Sequence, residues 1–213
     1  MSTYPMVKVL LSLLIPATVV LGQYSTKPGG APPSEVAPEI TAELQKQGVA
    51  VLSNGQPYCE LWFRAQAPKA PESSEQDVSW KTVPHGSLLG AVRYSVEGKD
   101  RRGQKIKPGV YTLRYSYYPV DGAHQGVEST RDFLVISPAD SDKDPKATPA
   151  FAALMDMSRK VSGGRHPAVL TIWKAGSEWQ EGLAQQGEDW TLGTKIGDET
   201  VMVIVAGINE HDR

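Results

Sequence analysis

The segment Lys107–Pro138 constrains the fold of this 213-residue chain most strongly, because its pattern is that of two β-strands joined by a long polar loop. Pro108-Gly109 has type II turn chemistry, since proline presets φ at the first central position and glycine accepts a positive φ at the second. The β-branched and aromatic residues of Val110–Tyr118 predict a strand directly after this turn. Asp132–Ser137 predicts the return strand, and its apolar residues on both faces indicate a strand covered on both sides.

The first of these strands has two chemically different faces. A period of two groups an apolar and aromatic set, Tyr111, Leu113, Tyr115 and Tyr117, against a polar set, Thr112, Arg114 and Ser116. The connection Pro119–Arg131 is too long for a tight hairpin turn, and long polar loops held between strands often carry functional residues.

The rest of the chain repeats this β pattern. Asn54-Gly55 predicts a hairpin between Val49–Ser53 and Pro57–Phe63, whose core face carries Cys59. Further strands are predicted at Val78–Pro84, Leu88–Val96, Ala168–Lys174, Trp190–Ile196 and Val201–Ala206, and helices at Glu39–Gln47 and from the N-cap Thr148 to Gly163. About eight strands without βαβ alternation predict a mainly β protein, an antiparallel β-sandwich or barrel-like single domain with one or two short helices.

The N-terminus has the pattern of an export signal. Lys8 precedes an apolar run, Val9–Leu21, which is too short and interrupted to span a bilayer, and Gly22 offers a small residue for signal peptidase. We therefore expect residues 1–22 to be a signal peptide cleaved after Gly22, residues 23–38 a flexible Pro- and Gly-rich leader, and residues 39–213 one β-rich domain, secreted or periplasmic and without a membrane span.

Charge and cysteine content exclude several classes of partner and site. Removal of Lys8 leaves 21 basic and 24 acidic side chains, a balance that does not favour nucleic acid binding. Cys59 is the only cysteine, so neither an internal disulfide nor a cysteine-based zinc cluster is possible. The sequence requires no cofactor.

The run GQKIKPGVYTLRYSYYPVDGAHQGVESTRDFLVISPAD, together with SGGRHPAVLTIW, resembles uncharacterised secreted or periplasmic proteins of environmental bacteria. Its opening, GxxIKPGVYTL, is similar to a bacterial domain of unknown function with a hairpin at a Pro-Gly corner. The resemblance implies an extracytoplasmic compartment and a β architecture, and it implies no catalytic activity.

Two sets of residues are candidates for a site. Asp121 and His124 lie in the long loop, with His124 flanked by Gly122 and Gly126, and this carboxylate and imidazole could bind a metal or act as a general base with its orienting acid. His166 and Asp132 are further ligand or metal candidates if the fold brings them near this loop. The alternate residues Asp140, Asp142 and Asp144 have the spacing of the first calcium ligands of an EF-hand, but Pro145 and Phe151 stand where that motif needs Gly and Glu.

Other patterns have an ordinary structural explanation beside the functional one. Ser162–His166 could bind an anion through backbone N–H groups and Arg165, or it could be a helix C-cap with the turn that follows it. The basic turn around Asp100 could likewise bind an anion or be a solvated hairpin end. Five tryptophans could form a sugar-stacking platform or lie in the core, namely Trp62, Trp80, Trp173, Trp179 and Trp190.

The sequence is consistent with two functions. The first is a non-catalytic extracytoplasmic binding or accessory domain for a small ligand, a metal or a protein partner. The alternative is a secreted hydrolase or metal-binding protein with its site at the Asp121–His124 loop. The chain has no GxSxG elbow, although a Ser-His-Asp triad on a β scaffold would leave no sequence motif.

Overall fold

A computed structural model describes residues 23–120, 130–177 and 179–207. In these ranges the chain is mainly β, as predicted, with a ten-stranded antiparallel sheet nearly closed into a barrel, a separate two-stranded hairpin and two helices. The strands are β1 Tyr24–Pro28, β2 Val49–Ser53, β3 Gln56–Phe63, β4 Leu88–Tyr94, β5 Gly98–Lys99, β6 Lys105–Ile106, β7 Gly109–Tyr117, β8 Asp132–Pro138, β9 Val169–Lys174, β10 Gly182–Gln186, β11 Asp189–Ile196 and β12 Glu199–Ala206; the helices are α1 Pro38–Thr41 and α2 Phe151–Ser162.

Strand order in the large sheet follows the chain closely. The order is β1-β2-β3-β4-β7-β8-β9-β12-β11-β10, and β5 pairs with β6 outside it. The two end strands, β1 and β10, lie next to each other, but no ladder joins them in the described part of the chain. The barrel therefore has one seam, between β1 and β10.

The central hairpin β7–β8 confirms both predicted strands. Tyr111, Leu113 and Tyr115 point into the main core, and β8 is buried on both faces. Residues such as Leu134 fill the barrel, while Phe133 packs outside it against α2. The predicted Asn54-Gly55 hairpin is also confirmed, since these residues have φ angles of 49° and 78° and join β2 to β3.

Two smaller apolar clusters lie outside the barrel. One contains Trp62 of β3 and Leu88 of β4, which are covered by the segment around α1 through Val36 and Ile40. The other contains residues of β8, β9 and α2, namely Tyr118, Phe133, Val135, Leu154, Met155 and Val169. Helix α2 therefore lies on the outer face of β8.

The predicted leader, residues 23–38, needs correction. Tyr24–Pro28 is strand β1, antiparallel to β2, and Val36 is buried against α1. The ring of Tyr24 packs against Tyr58 and Trp190, with centroids 5.4 and 5.6 Å apart. These contacts come from distant parts of the chain and give the segment a place in the fold that its composition does not indicate.

The helices and two further segments also differ from the prediction. Helix α1 is four residues long, where Glu39–Gln47 was predicted. The N-cap of α2 is Ala150, since the helix begins at Phe151, and Gly163 ends it in the left-handed conformation with φ 66°. Val78–Pro84 is not a strand, although Trp80 is buried in the barrel core, and β10 was not predicted. Neither helix in the described ranges is long enough to cross a membrane.

Candidate ligand-binding site

A surface cleft lies beside α2, where the helix covers β8 and the start of β9; we call it the α2 cleft. Its volume is about 190 Å³. Four of its lining residues are buried and form an apolar floor, namely Tyr118, Phe133, Met155 and Val169. Four others carry basic side chains at its edge, namely Arg102, Arg159, Arg165 and His166. Apolar surface below basic groups is the combination that an amphipathic anion requires.

The floor forms because α2 and the outer face of the sheet both contribute apolar side chains at this point. Phe133 belongs to the outer face of β8, and its ring lies 4.4 Å from that of Tyr118, centroid to centroid. Met155 packs onto the same cluster from α2. Phe151, in the first turn of α2, completes the lining and is 39% exposed, one of three large hydrophobic side chains exposed in the described residues.

Arg102 is held in position by the buried carboxylate of Asp100. Asp100 Oδ1 accepts hydrogen bonds from the backbone N–H groups of Arg102 and Gln104, at 3.0 and 2.8 Å. Oδ2 accepts from Arg102 Nη2 and from the Val169 N–H, both at 3.3 Å. Arg102 Nη2 also donates to the carbonyl of Pro167, at 2.9 Å. The β5–β6 hairpin is thereby fastened to the start of β9 through Asp100 and Arg102, while Gly103 and Lys105 of the same hairpin are exposed.

Burial raises the pKa of Asp100 above its ordinary value, and the charge of Arg102 and the backbone N–H donors oppose this shift. All four contacts bring an N–H to the carboxyl group, which leaves no oxygen facing an acceptor. The geometry therefore fits the ionised form of Asp100.

Arg159 and Arg165 come from the end of α2 and the turn after it. Arg159 Nη1 forms an ion pair with Asp156 one turn earlier, and its Nε donates to the carbonyl of Arg165 at 3.0 Å. The hydroxyl of Ser162 donates to the carbonyl of His166 at 2.6 Å and accepts from the Gly164 N–H at 3.2 Å. The Ser162–His166 turn is therefore a helix C-cap whose Gly164 N–H is already bonded, and its contribution to the cleft comes from side chains.

Of the predicted site residues, His166 lies at the α2 cleft. Asp121 and His124 lie outside the described residues, so their role stays a prediction. Asp132 is buried at the start of β8, where it accepts hydrogen bonds from the Tyr115 hydroxyl and from the Ser79 N–H, the latter at 2.8 Å. The contacts of Asp132 therefore hold the barrel together, and none of them reaches the cleft.

The three predicted calcium ligands face different partners. Both carboxylate oxygens of Asp142 contact the buried guanidinium of Arg114, at 2.6 and 2.7 Å. Asp140 accepts from the Ser141 hydroxyl, and Asp144 from the Lys146 N–H. No group of three or more His, Cys, Asp or Glu side chains in the described ranges could hold a metal ion. The Asp142 carboxylate therefore serves as the counter-ion of Arg114.

Cys59 and three of the five tryptophans, Trp62, Trp80 and Trp190, are buried. Cys59 is buried in the barrel, and burial raises the pKa of its thiol, so its reactive thiolate is disfavoured. Trp62 and Trp80 are fully buried, whereas Trp190 lies against Tyr24. Trp173 and Trp179 are half-buried.

The structure also contains a Ser–His pair that the sequence did not single out. Ser116 Oγ lies 3.1 Å from His85 Nδ1, but Ser116 has no exposed surface. His85 Nε2 is buried, and no carboxylate among the described residues contacts this imidazole; burial lowers its pKa, and the backbone of Pro149 opposes that shift. A nucleophile must reach its substrate, and the histidine of a triad needs an orienting acid. This pair satisfies neither condition.

The fold and the α2 cleft define an antiparallel β-barrel domain with a lateral basic cleft. No family model, no curated protein and no solved structure matches this chain.

Proposed function

We propose that this protein is an extracytoplasmic, non-catalytic binding domain that holds a small amphipathic molecule in the α2 cleft. The observation that carries this proposal is the apolar floor at the base of the cleft, Tyr118, Phe133, Met155 and Val169, beside an exposed Phe151. The extracytoplasmic location is supported by the apolar run Val9–Leu21.

The size of the cleft limits its ligand. A volume of 190 Å³ equals about six water molecules at roughly 30 Å³ each. An aromatic or branched molecule of about ten non-hydrogen atoms fits this space. At roughly 0.4 kcal/mol per atom, such a ligand would bind with a free energy of about 4 kcal/mol, which is a Kd of about 1 mM. Natural ligands that also use the basic side chains would bind more tightly.

Phenylacetamide, which is neutral and of this size, tests the cleft without using charge. We expect a titration of ¹⁵N-labelled protein to shift the amide resonances of Met155, Arg159 and Val169 saturably. Phe151→Ser should weaken binding severalfold, because it removes an apolar wall of the cleft that is already partly exposed.

Val96→Ser is the matched control, since Val96 is also an exposed large hydrophobic residue and does not line the cleft. This variant should bind like the unaltered protein. Absence of saturable shifts up to about 20 mM, some twenty times the expected Kd, would contradict the proposal. An equal loss of binding in both variants would place the ligand elsewhere.

A further inference from the structure

We propose that the ligand of the α2 cleft is a singly charged amphipathic anion, a carboxylate held by the guanidinium of Arg165 with its apolar part on the floor. This inference rests on the proposed function of the cleft, and it assigns the chemical class of the ligand. The inference depends on which of the three arginines of the cleft have their positive charge neutralised by a neighbouring carboxylate.

Two of the three arginines already have carboxylate partners. Arg102 pairs with Asp100 at 3.3 Å, and Arg159 pairs with Asp156. The exposed side chain of Arg165 makes no ion pair or hydrogen bond with any described residue. These five side chains therefore carry a formal charge of about +1, centred on Arg165.

The backbone that carries Arg165 is fixed, although its side chain is free to bind. Arg159 Nε donates to the carbonyl of Arg165, and the Ser162 hydroxyl donates to the carbonyl of the next residue, His166. These bonds tie the turn to the last turn of α2. A guanidinium offers two parallel N–H donors to a carboxylate, so a ligand gains a bidentate contact without ordering the turn.

The neighbouring acids argue against a doubly charged ligand. Asp100 and Asp156 pair with Arg102 and Arg159, so a dianion would bring a second negative charge to a cleft in which Arg165 is the one arginine without a carboxylate partner among the described lining residues. A carboxylate should therefore bind better than a phosphate ester with the same apolar part.

The experiment compares phenylacetate, phenylacetamide and phenyl phosphate at pH 8, where the phosphate carries two charges. These ligands share a phenyl ring and differ in charge. We expect phenylacetate to bind severalfold more tightly than the amide, as for a charge pair at an exposed guanidinium, and more tightly than phenyl phosphate. Arg165→Gln should abolish the preference for phenylacetate and leave amide binding within twofold.

Lys160→Gln is the control for charge, because Lys160 is exposed on α2 and does not line the cleft. It should keep the preference. If neither phenylacetate nor the amide binds, the proposed function itself fails. If both bind equally, or if Arg165→Gln leaves the preference unchanged, the cleft binds but the assignment to Arg165 is overturned. Tighter binding of phenyl phosphate would overturn the single charge.

Discussion

Asp142→Asn tests the most buried ion pair in the described part of the protein. Arg114 lies on the outer face of β7 with no exposed side-chain surface, and its guanidinium contacts both oxygens of Asp142. It also donates to the carbonyls of Gly86, Ala147 and Asp144, at 2.8, 2.5 and 2.7 Å. Arg114 thus fastens the segment before α2 to the barrel.

Replacing Asp142 by Asn keeps the shape of the side chain and removes its charge. The amide oxygen of the new asparagine still accepts a hydrogen bond from Arg114. The amide NH₂ group replaces the second carboxylate oxygen and therefore places an N–H donor against a guanidinium N–H donor. An uncompensated buried charge of this kind costs about 3–5 kcal/mol. For a domain of this length that corresponds to a fall in Tm of roughly 6–20 °C.

Urea unfolding followed by far-UV circular dichroism measures the change in the free energy of unfolding. Glu97→Gln is the control, because the Lys105–Glu97 pair has side chains that are 64% and 49% exposed. The control should change the free energy of unfolding by less than about 1 kcal/mol. If Asp142→Asn destabilises the protein no more than Glu97→Gln does, the Arg114 guanidinium is not a buried charge in need of a partner.

A double substitution separates the pair from its surroundings. Arg114→Met combined with Asp142→Leu removes both charges, so its loss of stability should be smaller than the sum of the two single losses by about 2 kcal/mol or more. Additive losses would show that the two side chains stabilise the fold independently.

Three further predictions concern other parts of the chain. Cys59→Ser should lower the free energy of unfolding by about 1–3 kcal/mol, and the native thiol should resist labelling; rapid modification by a thiol reagent would contradict its burial. Exported protein should begin at Gln23, so an intact mass that includes Gly22 would refute the cleavage site. If the long loop is functional, His124→Ala with Asp121→Asn should abolish zinc binding measured by calorimetry and leave the Tm nearly unchanged; a loss of several degrees with intact binding would make the loop structural.

The β7–β8 hairpin was predictable because its signals are local. Alternation along β7 places Tyr115 inside the barrel, and the apolar residues on both faces of β8 match its burial between the core and α2. The polar face of β7 shows where the pattern stops being informative. Thr112 and Arg114 are fully buried, because the segment containing Asp142 covers them.

Strand β1 was missed for the opposite reason. Its sequence, YSTKP, has one aromatic residue and ends in proline, so nothing in it suggests a sheet. It becomes a strand by pairing with β2, and the ring of Tyr24 packs near Trp190, far away in the sequence. Composition describes a segment alone and carries no information about such partners.

The α2 cleft was beyond sequence reasoning, although His166 had been proposed as a ligand-binding residue. Its basic side chains come from the β5–β6 turn and from the end of α2, two segments that share no sequence pattern and are about 60 residues apart in the chain. The link between them is the buried carboxylate of Asp100, which reaches the backbone of Val169. A turn of the type Asp-Arg-Arg-Gly is unremarkable in a sequence until the packing shows what its aspartate bonds to.

The seam between β1 and β10 has a consequence for how the barrel opens. Each of these strands is held by a ladder on one side only, while every other strand of the large sheet has two neighbours. Separating them breaks no backbone ladder, and the residues of β10 are half-buried or exposed. Amide hydrogens of these two strands should therefore exchange with solvent through local fluctuations, and those of β7 and β8 only when the whole domain unfolds. The two end strands of the sheet, β1 and β10, thus form the side of the barrel whose amide hydrogens are least protected from exchange.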